Sequence, residues 1–405
     1  MTEPVVAVFS GGGTGGHLYP ALALAAALAE RRPDVRSFFV GAERGLEARI
    51  LPERGLDHLL VPIEGICRDS LLPNIRVVGL LVGAIRRVTD VFQRLRPHLV
   101  VVTGGYAGGP AGLAAVLTGT HLVLQEQNSL PGLTTRFLSL FAREVHLAFP
   151  EAVDALPRRT RYKAKVSGNP VRPPLLQDRS IAAEVFGLDP YGTTVLVVGG
   201  SQGSQAVNEV ALEAIQEVAK GSFERPSGLQ ILWATGPAHL EGIERKLEAA
   251  GWPEWVRVVG YIHDMPLALS VAELAVSRAG AMTTSEFLAW GLPAILIPLP
   301  TAAENHQARN ARALSDSGAA LHFPQETVSG EVLWQAIDRL IGDSEARAGM
   351  SKAARKRGSP LAASEIAASL DRLLPPTGST PRIGGMGGKQ SGARGGESVG
   401  EGGGS

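Results

Sequence analysis

The run Gly11-Gly12-Gly13-Thr14-Gly15-Gly16-His17 separates an apolar stretch at 5–9 from an alanine- and leucine-rich stretch that begins at Pro20. Glycines permit positive φ and close backbone approach, and the N-terminus of a following helix presents free N–H groups to an anion. His17 stands at the junction, where an imidazole titrating near neutrality could take a proton from a sugar hydroxyl. Capping the helix or binding a phosphate is its alternative use. Two further loops repeat the pattern, Gly104-Gly105-Tyr106-Ala107-Gly108-Gly109 and Gly199-Gly200-Ser201-Gln202-Gly203-Ser204. Any one of them could be an ordinary tight turn between strand and helix. Three at equivalent positions favour a site for more than one phosphate group.

The first loop satisfies G-x-G-x-x-G, but so many glycines fit many patterns. A dinucleotide site also wants an acid closing the second strand, and Glu43 comes late for that. No phosphate-binding loop of the G-x-x-x-x-G-K-[ST] type occurs. Three polar clusters follow other apolar runs. Gln125-Glu126-Gln127-Asn128 sits where open α/β sheets bind ligands. Ser277-Arg278-Ala279-Gly280-Ala281-Met282-Thr283-Thr284-Ser285-Glu286 leads from a strand into a helix, and Glu286, one turn in, could accept two hydrogen bonds from a ribose diol. A capped helix start with Glu286 complementing the helix dipole is the alternative. Glu304-Asn305-His306-Gln307 offers partners for sugar hydroxyls, or a polar loop opening a helix. His263-Asp264 has no third ligand nearby, so no metal set is evident and no cofactor is called for.

These clusters need a scaffold that brings strand ends together. Short aliphatic runs at 5–9, 37–40, 59–61, 99–102, 121–124 and 144–148 alternate with helical stretches, a parallel α/β pattern with helices on both faces. A basic, proline-bearing stretch at 158–174 reads as a linker. The pattern then restarts with runs at 194–198, 229–234, 256–259, 274–277, 294–298 and 319–322. Two doubly wound domains facing across a cleft are expected. The end, 375–405, is glycine-rich without an aromatic, and is expected to be disordered.

Length and composition agree. A chain of 405 residues with 44% hydrophobic residues exceeds what one core usually serves. Lysine plus arginine (39) balances aspartate plus glutamate (39), which argues against a nucleic-acid-coating protein. Cys67 is the single cysteine, read as inert, and excludes an internal disulfide framework. The apolar runs fall short of the roughly 20 residues a membrane span needs. One segment is both apolar and basic: Leu72, Ile75 and Leu80 among Arg76, Arg86 and Arg87. It suits adsorption to an anionic membrane surface, or is an ordinary core-facing helix with a basic outer side.

Taken in order, GGGTGGHLYPALALA, GGYAGGPAG, QEQNSLPG, GNPVR, GGSQGS, YIHDM, SRAGAMTTSE and HQARNA resemble the MurG family, over roughly 5–370. The resemblance implies a GT-B fold, two Rossmann-like doubly wound parallel-sheet domains. Residues 1–167 would bind acceptor and membrane, 168–354 would bind UDP-GlcNAc, and a helix near 355–374 would pack back on the first domain. It implies transfer of GlcNAc from UDP-GlcNAc to the 4-hydroxyl of MurNAc in undecaprenyl-diphospho-MurNAc-pentapeptide, with inversion, by a peripheral protein on the cytoplasmic face of the cell membrane. The donor site would comprise Thr14, Gly15, Gly16, Asn128, Arg172, Ser201, Ile262, Ala281, Met282, Thr283, Thr284, Ser285, Glu286 and Gln307. Gly13, Gly104, Gly105 and Tyr106 would take the acceptor diphosphate. Family members usually carry histidine where Gln125 stands, which leaves His17 favoured as the base. A related UDP-sugar enzyme such as an epimerase, or a non-enzymatic binding protein, is the alternative.

Overall fold

The computed structural model describes residues 4–13, 15–64 and 72–377. The expectations at Thr14, at Cys67 and over 378–405 lie outside them, as do those for the side chains of Leu72, Ile75 and Arg76.

Seven strands form a first parallel sheet: β1 (Val5–Ser10), β2 (Val35–Ala42), β3 (His58–Val61), β4 (Leu99–Val102), β5 (His121–Glu126), β6 (Glu144–Leu147) and β7 (Ala164–Val166). A second parallel sheet holds β8 (Thr193–Val198), β9 (Leu229–Ala234), β10 (Val256–Val259), β11 (Ala272–Ser277), β12 (Ala294–Leu296) and β13 (Ala320–His322). Their orders, β3-β2-β1-β4-β5-β6-β7 and β10-β9-β8-β11-β12-β13, share one plan. In each, direction reverses between the first and fourth strands of the set, where open α/β sheets bind ligands. The glycine loops follow β1, β4 and β8, and the Ser277–Glu286 stretch follows β11, so all four lie at these reversal points.

The strands are apolar throughout because both faces are covered. Val8, Val100, Val102 and Leu124 point to one buried cluster and Ala7, Phe9, Val101 and Val123 to the other. The second sheet repeats this, with Leu196, Val198 and Leu232 on one face and Val195, Val197 and Trp233 on the other.

The expected helix near 355–374 is two helices, Ser344–Arg357 and Ala362–Asp371. The break falls at Gly358-Ser359-Pro360, where a Cβ on Gly358 would lie 2.4 Å from the Leu288 carbonyl oxygen. The first helix packs on the second domain. The second supplies Ile366, Ala367 and Leu370 to the core beneath the first sheet.

Polar clamps hold that last helix. Arg32 bonds both Asp34 and Asp371 at 2.8 Å, and Ser369 donates to Glu144 at 2.6 Å. Glu144 also takes His146 (3.1 Å) and Lys165 (2.6 Å). These contacts, that with His146 foremost, hold its carboxyl down from 4.5 to about 2. The folded value lies below the ordinary one, so the contribution is complete above the ordinary range and is lost as pH falls through it toward the folded value. It amounts to at most about 3 kcal/mol. Thermal melts between these pH limits should therefore show an acid destabilisation that Glu144→Gln reduces, leaving the part carried by Asp34 and Asp371, whose carboxyls Arg32 holds down.

Candidate active site

His17 lies in the first turns of the helix Gly15–Arg31. Its Nδ1 is 2.8 Å from Gln127 Oε1 and 3.0 Å from the Thr103 carbonyl oxygen. Gln127 Nε2 donates to that same carbonyl (2.8 Å) and to the Gln125 carbonyl (3.2 Å), so the Gln127 amide cannot be reversed without facing oxygen with oxygen. Both neighbours of Nδ1 are therefore acceptors, and Nδ1 carries the proton. Nε2 is left with a lone pair and without a protein partner among the described residues. That is the form a general base requires.

The first two glycine loops interlock around this ring. Gly105, at φ +73°, would place a Cβ 2.1 Å from the Gly12 carbonyl oxygen and 3.1 Å from His17 Cδ2. The Gly13 N–H is donated to Glu47 Oε1 at 2.9 Å, so it already has a side-chain acceptor for a partner. Tyr106, half-buried, donates its hydroxyl to the Arg44 carbonyl at 3.1 Å. Burial, with the charges of Glu47 and Glu64, pushes its phenol upward, so it stays a neutral donor. Buried Glu47 is a residue that sequence reasoning missed. Its role depends on a loop folding over it from 34 residues away.

The second half of the site is a cavity of about 560 Å3, lined among others by Gly200, Ser204, Arg278, Thr283 and Gln307. Gly203, at φ +76°, lets the loop pass where a Cβ would sit 2.0 Å from the Thr235 carbonyl oxygen. Two helices begin at this cavity, Gln205–Ala219 and Ala281–Trp290. The second starts at Gly280 with no side-chain cap, so its first N–H groups and the positive end of its dipole are open to a ligand. Arg278 is 9% exposed. It bonds Ser204 Oγ at 2.8 Å and the Ile297 and Pro298 carbonyls at 3.0 and 3.2 Å. No carboxylate among the described residues pairs with it, and burial pulls its guanidinium below the usual range. A buried cation without a counter-ion, between two helix N-termini, is a site for an anion such as a diphosphate.

The two halves meet through polar contacts. Asn310 accepts from the Ser129 N–H at 2.9 Å and donates to Asn128 Oδ1 at 3.2 Å. Arg136 reaches Glu304 at 3.2 Å. Glu304 and Asn305 both adopt φ of 53°, a conformation uncommon outside glycine and found where structure over-determines the backbone. Gln307 follows, its Oε1 accepting from the Leu299 N–H at 3.0 Å.

Glu286 is half-buried one turn into its helix, beside Ala281, Thr284 and Ser285, which are buried, and Met282 and Thr283, which are half-buried. Burial pushes its carboxyl above the ordinary range, and the charge of exposed Arg172 pulls it back. If the carboxylate grips a ribose diol, nucleotide affinity should fall with acid at a higher pH than an ordinary glutamate would allow. Arg172→Ala should move that loss to higher pH still, and Glu286→Ala should lower nucleotide affinity by roughly 1–3 kcal/mol. Calorimetric titration across pH measures all three.

Of the remaining expected residues, Gly15 and Gly16 open the helix that carries His17. Ile262 is buried in the second core just after β10. Ser201 is exposed, and the cavity is bounded instead by its neighbours Gly200, Gly203 and Ser204. In the helix Leu72–Leu95, Val77, Ala84, Val88 and Phe92 are buried, while Val78, Val82 and Arg86 form an exposed stripe. Leu80 is half-buried, and exposed Arg87 reaches Glu43 at 3.4 Å. No group of three or more His, Cys, Asp or Glu able to hold a metal occurs among the described residues.

Two Rossmann-like parallel sheets, with a cavity at the reversal point of one and His17 at that of the other, have the architecture of a GT-B glycosyltransferase. Residues 7–147 match the glycosyltransferase family 28 N-terminal domain, and 194–366 match the family 28 C-terminal domain. A crystal structure of Acinetobacter baumannii MurG superposes with a TM-score of 0.72 at 28% identity, covering 91% of this chain and 99% of that one. A UDP-N-acetylglucosamine--N-acetylmuramyl-(pentapeptide) pyrophosphoryl-undecaprenol N-acetylglucosamine transferase of Desulfitobacterium hafniense is 39% identical over 364 residues, 89% of this chain and 96% of the relative. Its Bacillus cereus counterpart is 34% identical over 366 residues, 90% of this chain and 98% of the relative. A putative UDP-N-acetylglucosamine 2-epimerase from Listeria monocytogenes, at 15% identity and TM-score 0.63, shares the fold alone. The chain belongs to the MurG family.

Proposed function

We propose that this chain moves GlcNAc from UDP-GlcNAc to the 4-hydroxyl of MurNAc in undecaprenyl-diphospho-MurNAc-pentapeptide, completing the lipid-linked peptidoglycan precursor. The observation that carries the reading is Arg278, a buried guanidinium with no carboxylate partner among the described residues, facing a cavity at two helix N-termini. There the donor diphosphate would lie, with Glu286 on the ribose and Gln307 and Asn128 toward the sugar. The acceptor hydroxyl attacks the anomeric carbon from the opposite face as His17 Nε2 takes its proton. The bond to the diphosphate breaks, the configuration inverts, and UDP leaves with its new charge facing Arg278 and the helix N-termini. Donors already aimed at developing charge are worth roughly 3 kcal/mol each.

The acceptor is lipid-linked, and among the described residues no helix is long and apolar enough to cross a membrane. We therefore place the stripe Val78–Val82–Arg86 against an anionic bilayer on its cytoplasmic face. The first test is UDP release from UDP-GlcNAc with and without a short-chain acceptor analogue. Release that requires acceptor, with a disaccharide product, is expected. Turnover of UDP-GlcNAc alone would mean an epimerase, and binding without turnover would mean a binding protein.

A further inference from the structure

His17 is the end of a chain of buried side chains that runs out of the first domain. Gln127 accepts from His17 Nδ1 and its Nε2 bonds Gln125 Oε1. Gln125 Nε2 donates to Asn169 Oδ1 at 2.9 Å, and Asn169 Nδ2 donates to Ser285 Oγ at 2.8 Å. The three amides are 0–2% exposed, and each passes its hydrogen bond on in the same sense, from His17 toward Ser285. Asn169 also reaches the Ala281 carbonyl at 3.4 Å. The chain therefore ends on the first turns of the helix that carries Glu286, across the segment joining the domains.

We propose that Gln127, Gln125 and Asn169 are positioning residues, a neutral relay that holds the His17 ring in place and stabilises its protonated form. The proposal rests on the reading of His17 as base. Each amide in such a chain polarises the next, so the outermost links strengthen the bond at Nδ1. When Nε2 gains a proton, the Nδ1 hydrogen bond becomes charge-assisted and the aligned amides meet the charge. A carboxylate performs this in hydrolytic triads. Here the adjacent carboxylate, Glu126, is turned away and engaged with the Asn128 and Gly132 N–H groups (both 3.1 Å) and the Thr135 hydroxyl (2.7 Å). The anchor at Ser285 makes the base's environment depend on where the nucleotide-binding helix sits.

The test reads the His17 Nδ1 proton by NMR in the full chain, assigned by its loss in His17→Ala. Gln125→Met keeps side-chain length but removes one acceptor and one donor from the middle of the relay. It should move that resonance to higher field and lower kcat about tenfold, in the range for groups held by an outer layer of hydrogen bonds. KM for UDP-GlcNAc and UDP affinity should stay within about twofold. Gln125→His should restore both readouts, because imidazole carries a donor and an acceptor on opposite edges. An unmoved resonance with unchanged kcat in Gln125→Met would overturn the relay, as would lost activity that Gln125→His fails to restore. Were His17→Ala fully active, the base reading would fall, while the resonance shifts would still report on the relay.

Discussion

Replacing His17 with alanine should lower kcat by roughly 10²–10⁴-fold while UDP-GlcNAc affinity stays within about twofold. The split follows from where the contacts lie. His17 stands with Thr103 and Gln127 at the reversal point of the first sheet, whereas Arg278 and Glu286 belong to the second. A base acts on the acceptor hydroxyl as it attacks, so its loss is felt in the transition state and hardly in donor binding. His17→Gln could keep a donor toward Thr103 but has no titrating lone pair, so it should be as slow as alanine. Steady-state rates with donor and acceptor varied separately, beside calorimetry with UDP-GlcNAc, measure both quantities. A variant with normal kcat would make His17 a structural cap. A variant that lost donor affinity in proportion to rate would make it a phosphate ligand.

The scaffold was legible because its signals are local. Twelve of the strands coincide with aliphatic runs, and glycine clusters punctuate them at the reversal points. β7 (Ala164–Val166) was hidden because it is an edge strand whose Val166 is 53% exposed and whose middle residue is a lysine, so it carries no apolar run. The break at Gly358-Ser359-Pro360 was readable in type, since proline unsettles a helix at the residue before it. The need for it lies in Leu288, far away in sequence. The same holds inside the site. His17 and Glu286 stand in telling motifs and Glu47 in none, while Asn169 and Asn310 lie in GNPVR and HQARNA but take roles from partners that only the fold brings near. The glycines of the second loop read as phosphate ligands, yet Gly105 is required first for the approach of Gly12 and His17.

Arg278→Ala should lower kcat/KM for UDP-GlcNAc at least about thirtyfold, since truncating one partner of a buried, hydrogen-bonded charge pair costs about 2–5 kcal/mol. That guanidinium is buried with no carboxylate partner among the described residues, and burial already disfavours its charge. Its bonds to Ser204, Ile297 and Pro298 fix its orientation but do not neutralise it. A diphosphate would supply the missing charge, so its binding gains both the attraction and the relief of an uncompensated ion. Removing the side chain loses three hydrogen bonds but abolishes that ion, and the oxygens left behind line a cavity that solvent can enter. The ligand-free melting temperature should therefore change little. The added stability that UDP confers, which grows as RT ln(1 + [L]/Kd), should nearly vanish at concentrations that saturate the parent protein. Arg278→Lys keeps the charge but cannot hold Ser204 and two carbonyls with one planar fork, so it should recover only part of the loss. A strongly destabilised alanine variant that still bound UDP normally would assign Arg278 to the fold and leave the helix N-termini alone to meet the diphosphate.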